Sequence, residues 1–161
     1  MEYHVLHKMM NYYRGFNKVL EEDWQKNAQK IGITSAEQHI LWILHFENEA
    51  TMSKIAQLGL WDISTVMQVV KRLKEKLLVE VQKDSNDRRI SYVKLTEKGK
   101  TIRKESSLST FQLQKFVEEY VSKSEANKEK VIGMMDFLKD LNTHFYGEQF
   151  SNWVENSGNR F

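Results

Sequence analysis

Five side chains in one short stretch, Ser64, Thr65, Gln68, Lys71 and Arg72, and two adjacent arginines further on, Arg88 and Arg89, have the types best suited to chemistry in this sequence. Small hydroxyls at the start of a helix allow close approach. A glutamine amide can meet an adenine edge with two hydrogen bonds, and Lys and Arg neutralise phosphate or reach guanine. A guanidinium is slim, planar and weakly hydrated, so it suits a narrow groove where negative potential concentrates. Together these groups point to recognition of a polyanion with hydrogen-bonding edges, as in duplex nucleic acid.

The elements that must position them can be read from periodicity. Asp62 is a good N-cap, and Ile63, Val66, Val70, Leu73 and Leu77 form an apolar stripe at helical spacing. Opposite it lie Ser64, Gln68 and Glu75, flanked by Thr65, Lys71 and Arg72. The preceding stretch "ATMSKIAQLGL" predicts a short helix ending at Gly59, joined by the tight connection "LWD". A short helix, a tight turn and an amphipathic helix make a helix-turn-helix, whose second helix enters a major groove. Helix starts also offer oriented backbone N–H groups to phosphate. Trp61, inside the turn, suits either packing the turn or touching a backbone sugar.

A helix pair with a basic face is common, and the segment that follows adds the specificity. "LVEVQK" and "ISYVKL" alternate with a period of two, with Val79, Val81, Val93 and Leu95 as inward positions, and "DSNDRR" lies between them. This predicts a hairpin with Arg88 and Arg89 at its tip, where Asp84 or Asp87 can pair with one arginine while the other is presented. Read alone, the same loop is a solvated turn with a local ion pair. Between Ile63 and Lys94 stand eight Lys/Arg against four Asp/Glu, a basic stripe inside a chain whose net charge is only +2.

Around this unit the chain predicts long helices, in keeping with no proline and seven glycines. The first runs from about Tyr3 to Lys30 and stops at Gly32. "TSAE" reads as a capping box, Thr34 with Glu37, opening a second helix to about Asn48. Thr96 caps a long helix to about Val121, and Ser124 opens the last. The fold class is therefore mainly α with a small β-hairpin wing, a winged helix-turn-helix at residues 34–100 between dimerisation helices at 1–33 and 101–161. Met9, Tyr13, Phe16, Phe137, Leu141, Phe145, Phe150 and Trp153 carry more apolar surface than a small winged helix covers, which argues for a partner and most simply a two-fold dimer.

Other function classes lack support. With no cysteine there is no thiol catalysis, disulfide framework or thiolate zinc site. There is no Gly-rich phosphate loop, nucleophile elbow or metalloprotease helix, so an enzyme is not expected. His4 and His7, and His39 and His45 with Glu37 and Glu49 nearby, show no His-x-x-x-His spacing, and neither metal nor cofactor is expected. The longest apolar run, "ILWIL", is far too short to cross a bilayer, and no leader is visible at the N-terminus, which reads as soluble and cytoplasmic.

The stretch "TMSKIAQLGLWDISTVMQVVKRLKEKLLVEVQKDSNDRRISYVKLTEKGK" resembles the winged helix of the MarR family of bacterial transcriptional regulators, most specifically in "STV", "RLKEKLLV", "DRR" and "LTEKG". Outside it, "EEDWQK", "EQHILWIL" and "HFYGEQF" are similar to the bacillar regulators of protease production within that family. The resemblance implies a homodimer with interlocking terminal helices, two winged helices on one palindromic operator and, most often, repression. By its motif, Arg89 matches the wing arginine that enters the minor groove, Asp87 the acid that orients it, and Arg88 a variable position suited to phosphate. Many relatives carry arginine where this chain has Gln68, a departure that favours an adenine contact there. The resemblance also implies small, often aromatic or anionic effectors in a cleft beside the winged helix, which Tyr12, Tyr13, Phe16, Trp24, Trp42, Phe46, Phe111 and Phe116 could line. Two other readings stand beside this one: a ligand sensor on the same scaffold, and a protein-interaction module.

Overall fold

The computed structural model describes residues 2–85, 87 and 89–160, so Arg88 lies outside the described residues. Among these the chain order is α1 (Tyr3–Lys30), α2 (Ser35–Glu47), β1 (Glu49–Thr51), α3 (Met52–Gly59), α4 (Ile63–Glu75), β2 (Val79–Lys83), β3 (Ser91–Leu95), α5 (Glu97–Ser106), α6 (Gln112–Ser122), α7 (Glu125–Tyr146) and α8 (Glu148–Gly158). The fold is mainly helical with a small antiparallel sheet, as the sequence predicts.

Capping sets the helix starts. Thr34 accepts from the Glu37 amide at 3.2 Å while Glu37 accepts from the Thr34 amide at 2.7 Å, the reciprocal box expected from "TSAE". Thr51, Asp62, Thr96 and Ser124 each accept a backbone N–H in the first turn of α3, α4, α5 and α7. Gly32, at φ +74°, supplies the left-handed residue after α1.

The core lies under the helix-turn-helix. Ile40, Leu41, Ile43 and Leu44 of α2 are buried against Ile55 and Leu58 of α3, Val66, Val69, Val70 and Leu73 of α4, and Val79 and Val93 of the sheet. The strand order is β1-β3-β2, with Ala50, Val93 and Val81 in one cross-strand row.

Several features depart from the sequence reading, among them the helix opened by Ser124, which is not the last: it ends at Tyr146 and α8 follows past Gly147. Strand β1 adds a third strand through its pairing with β3. The helix expected from Thr96 to about Val121 breaks between Ser106 and Gln112. Ser106 and Ser107 hydroxyls turn back to donate to the Arg103 and Lys104 carbonyls, each at 2.6 Å, which competes with the helical ladder. The new start of α6 is capped from α1, where buried Asp23 accepts from the Leu113 amide at 2.9 Å. Ile63 and Leu77, placed on the inward stripe of α4, are exposed instead, while Val69 is buried in the core. Leu77 lies past the helix end at φ +61°, where the chain turns toward β2. Finally, Trp153 packs inward beside Phe46, ring centroids 6.3 Å apart, rather than joining an outer apolar face.

The outer helices keep little of their apolar surface covered. Helices α6 and α7 have no buried residue, and Tyr13, Phe116, Phe137 and Phe145 are exposed on α1, α6 and α7.

Candidate nucleic-acid interface

Helix α3 ends where Leu60 adopts a left-handed conformation, φ +54° and ψ +43°, and the Trp61 amide closes the turn onto the Ala56 carbonyl at 3.0 Å. Trp61 packs the turn. A methyl group on Gly59 would come within 2.5 Å of its ring, so only glycine lets the indole lie this close. The ring also stands edge-on to His39 of α2.

Asp62 then starts α4 and organises its first turn. Its carboxylate accepts from the Thr65 amide at 2.8 Å, from the Thr65 hydroxyl at 2.7 Å and from the Ser64 hydroxyl. These three donors hold its pKa down to about 2, led by the Ser64 hydrogen bond. Both hydroxyl protons therefore point at Asp62, and Ser64 and Thr65 offer lone pairs outward rather than donors. The same carboxylate sits at the helix start and takes the Thr65 N–H, one of the first-turn amides that could otherwise meet a phosphate.

The predicted recognition residues divide. Ser64, Gln68 and Lys71 share the exposed face of α4, opposite Val66, Val69, Val70 and Leu73. Thr65 is half-buried against Asp62. Arg72 leans toward α2, with Nε 3.8 Å from the fully buried Glu37, and Lys76 meets the same carboxylate at 2.8 Å while also reaching the Gly32 carbonyl at 3.1 Å. Arg72 is thus also part of the strut between α2 and α4. Two exposed residues escaped the sequence reading: Met67 was not singled out, and Ile63 was assigned to the core.

In the wing, β2 and β3 pair from Val79–Leu95 to Lys83–Ser91, and the Asp84 amide donates to the Ile90 carbonyl at 3.0 Å. Asp87 and Arg89 form a two-pronged pair. Arg89 Nε donates to Asp87 Oδ1 at 3.0 Å and Nη2 to Oδ2 at 2.9 Å, and the Arg89 amide also donates to Oδ1 at 3.0 Å. The pairing lowers the Asp87 pKa and raises that of Arg89, so both stay charged. Of the two acids the sequence offered, Asp87 holds Arg89, while Asp84 accepts from the Asp87 amide at 2.9 Å and shapes the loop. The Arg89 side chain remains 90% exposed.

Behind the helix-turn-helix lies a cleft of about 410 Å³, lined by Trp24, His39, Trp42, Phe46, Phe111 and Trp153 among others. Four of the aromatics expected there line it; Tyr12, Tyr13, Phe16 and Phe116 do not. Among the described residues no Lys, Arg, Asp or Glu lines it, and burial lowers the pKa of His39. Two buried polar atoms at its wall, Gln38 Oε1 and Trp153 Nε1, have no hydrogen-bond partner among the described residues. Among those residues no group of three or more His, Asp or Glu could hold a metal ion, and no helix is long and apolar enough to cross a membrane.

The chain is similar to proteins named as transcriptional regulators. Residues 33–91 match the model described as MarR family. The chain is 29% identical over 147 residues to the HTH-type transcriptional regulator Hpr of Exiguobacterium sibiricum, covering 89% of this chain and 76% of that protein. It is 37% identical over 92 residues to the DNA-binding transcriptional repressor ScoC of Bacillus subtilis, covering 57% of this chain but only 45% of that one. A mutant MarR from E. coli complexed with operator DNA has the same fold, with a TM-score of 0.64 at 20% identity over 80% of this chain and 95% of that one. These relatives are named as transcriptional regulators, not enzymes.

Proposed function

We propose that this chain, whose residues 33–91 match the MarR family, represses transcription as a homodimer whose two winged helices hold one palindromic operator. Helix α4 enters the major groove with Ser64, Gln68 and Lys71 leading, and Arg72 and Lys76 brace it on α2. The wing carries Arg89 into the neighbouring minor groove, with Arg88 on a phosphate. The observation that carries this reading is the Asp87–Arg89 pair. A guanidinium held by two parallel hydrogen bonds yet left almost wholly exposed is preorganised, so little side-chain entropy is lost when it inserts. Repression follows the reading of the B. subtilis relative, whose name calls it a repressor.

The exposed apolar faces of α1, α6 and α7 form the dimer interface in this proposal, with 1–33 and 101–161 as the dimerisation segments and 34–100 as the DNA-binding unit. The partner sets the second half-site about one helical turn away. The protein works in the cytoplasm, where its DNA is.

The test is selection from a random duplex pool followed by fluorescence anisotropy across a salt series. A regulator enriches a palindrome, and its log affinity falls linearly with log salt, with a slope of about −0.9 per neutralised phosphate. Absence of duplex binding at low salt would favour the protein-interaction reading instead.

A second reading, that the protein also senses a small molecule, rests on the cleft. Its aromatic wall, free Gln38 acceptor and free Trp153 donor suit an uncharged aromatic carrying one donor and one acceptor rather than an anion. Such a compound would raise Tm by mass action, and Trp42→Ala would abolish the shift.

A further inference from the structure

We infer that Ile63 and Met67 contact thymine methyl groups in the major groove, so that each half-site requires thymine beneath the first two turns of α4. This rests on the DNA-binding reading above and adds the base class that the helix selects.

Both side chains stand out on a helix whose inner face is already filled. Val66, Val69, Val70 and Leu73 bury that side completely, so α4 needs no further apolar contact within the chain. Yet Ile63 is 49% and Met67 57% exposed. They are one turn apart, so they lie one above the other on the same flank. The outer apolar residues of α1, α6 and α7 belong to long helices that want a partner. Ile63 and Met67 instead adjoin the exposed Ser64, Gln68, Lys71 and Lys74.

That neighbourhood selects among occupants. A protein partner large enough to cover two apolar side chains would also desolvate two lysines. Duplex DNA satisfies both at once, with phosphate for the lysines and one apolar group on its major-groove edge, the C5 methyl of thymine. The first turn supports the same choice. Asp62 holds the hydroxyl protons of Ser64 and Thr65, so these residues can only accept and suit a base amino group such as that of adenine. Gln68 adds an amide that can both donate and accept against adenine. Methyl contact and amino acceptance together describe an A·T-selecting turn.

The test uses the full chain and the duplex that it selects. Each thymine is replaced singly by deoxyuridine, which removes only the C5 methyl, and anisotropy is read for wild type, Met67→Ala and Ile63→Ala. Wild type should weaken about fourfold at one or two thymines per half-site. Each variant should bind the thymine duplex as weakly as wild type binds the matching deoxyuridine duplex, with no further loss when both changes are combined. Equal wild-type affinity for thymine and deoxyuridine duplexes overturns the inference and leaves the DNA-binding reading standing, as does sensitivity at one and the same thymine that survives in both variants. No specific binding to any duplex overturns both. Unfolding temperatures of the two variants, whose changed side chains are exposed, verify that the loss is not misfolding.

Discussion

The imidazole of His39 stands edge-on to the indole of Trp61, ring centroids 5.2 Å apart and planes at 67°, while on its other side it meets Trp24 at 5.5 Å. His39 lines the cleft and Trp61 packs the turn before α4, so one ring joins the aromatic cleft to the helix-turn-helix. Burial disfavours its protonated form and lowers its pKa. The unfolded chain therefore binds this proton more readily than the folded one. Stability from neutral His39 is complete above the ordinary histidine pKa and is lost as pH falls through the lowered value.

Replacing His39 by Gln should flatten that part of the pH dependence. Wild-type Tm should fall as pH drops below about 6.5, and the variant should fall less. His45 is shifted the same way, by burial and then by Arg103 and Arg160, so a residual slope remains. At neutral pH the variant should lose about 1–2 kcal/mol for two ring contacts. Thermal unfolding by circular dichroism across a pH series measures both. An unchanged slope would show that the ring is not buried in solution.

Gly99 packs its α-carbon against the backbone where β2 begins. A methyl there would lie 2.0 Å from the Leu78 carbonyl oxygen, which also accepts from the Thr96 amide at 3.1 Å. Backbone cannot swing aside, so Gly99→Ala should cost at least about 2 kcal/mol and separate α5 from the sheet. Urea denaturation gives the number, with Gly133→Ala, where a methyl meets open space, as the control.

How far the sequence carried the reading can be seen at such contacts. Caps at Thr34, Asp62 and Thr96 were legible because a cap and its amides are three residues apart. The wing was legible because alternation and a charged loop are local. Strand β1 was not: three residues hold no period, and its reason to be a strand is β3, with Ala50 paired to Val93. The start of α6 was hidden for the same reason, since its cap is Asp23 on α1. The serines around Ser106 were a visible warning of the break. Ile63 was assigned inward because the 3.6-residue stripe extends through it, whereas the buried face of α4 begins only at Val66. Arg72 carried no sign that Glu37 would face it.

Glu37 is fully buried and its charge is met by Lys76, Arg72 and the Thr34 amide. Lys76→Met should destabilise by about 1–3 kcal/mol, below the cost of orphaning a fully buried pair, because Arg72 and Thr34 remain. Adding Glu37→Gln should recover part of that loss. A double-mutant cycle in guanidinium chloride isolates the coupling. Additive losses would mean that the strut is not formed.

Asp62 sets a negative charge at the N-terminus of α4. Asp62→Asn keeps a good cap and removes the charge. Binding to arbitrary duplex should tighten, while preference for the selected site should fall, because Ser64 and Thr65 regain freedom to donate. Anisotropy against matched and scrambled duplexes at one salt concentration reads the ratio. An unchanged ratio would place Asp62 away from the DNA.

Binding of the selected duplex by wild type, Arg89→Ala, Arg89→Lys and Asp87→Ala across a salt series decides whether the wing enters DNA. Arg89→Ala should weaken binding about tenfold and reduce the salt slope by about one contact. Arg89→Lys should restore the slope but not the affinity, since an ammonium cannot pair in two prongs or enter the groove as thinly. Asp87→Ala should fall between wild type and Arg89→Ala. If all four proteins bind alike with the same slope, the wing arginine does not touch DNA and the proposed mode of binding fails.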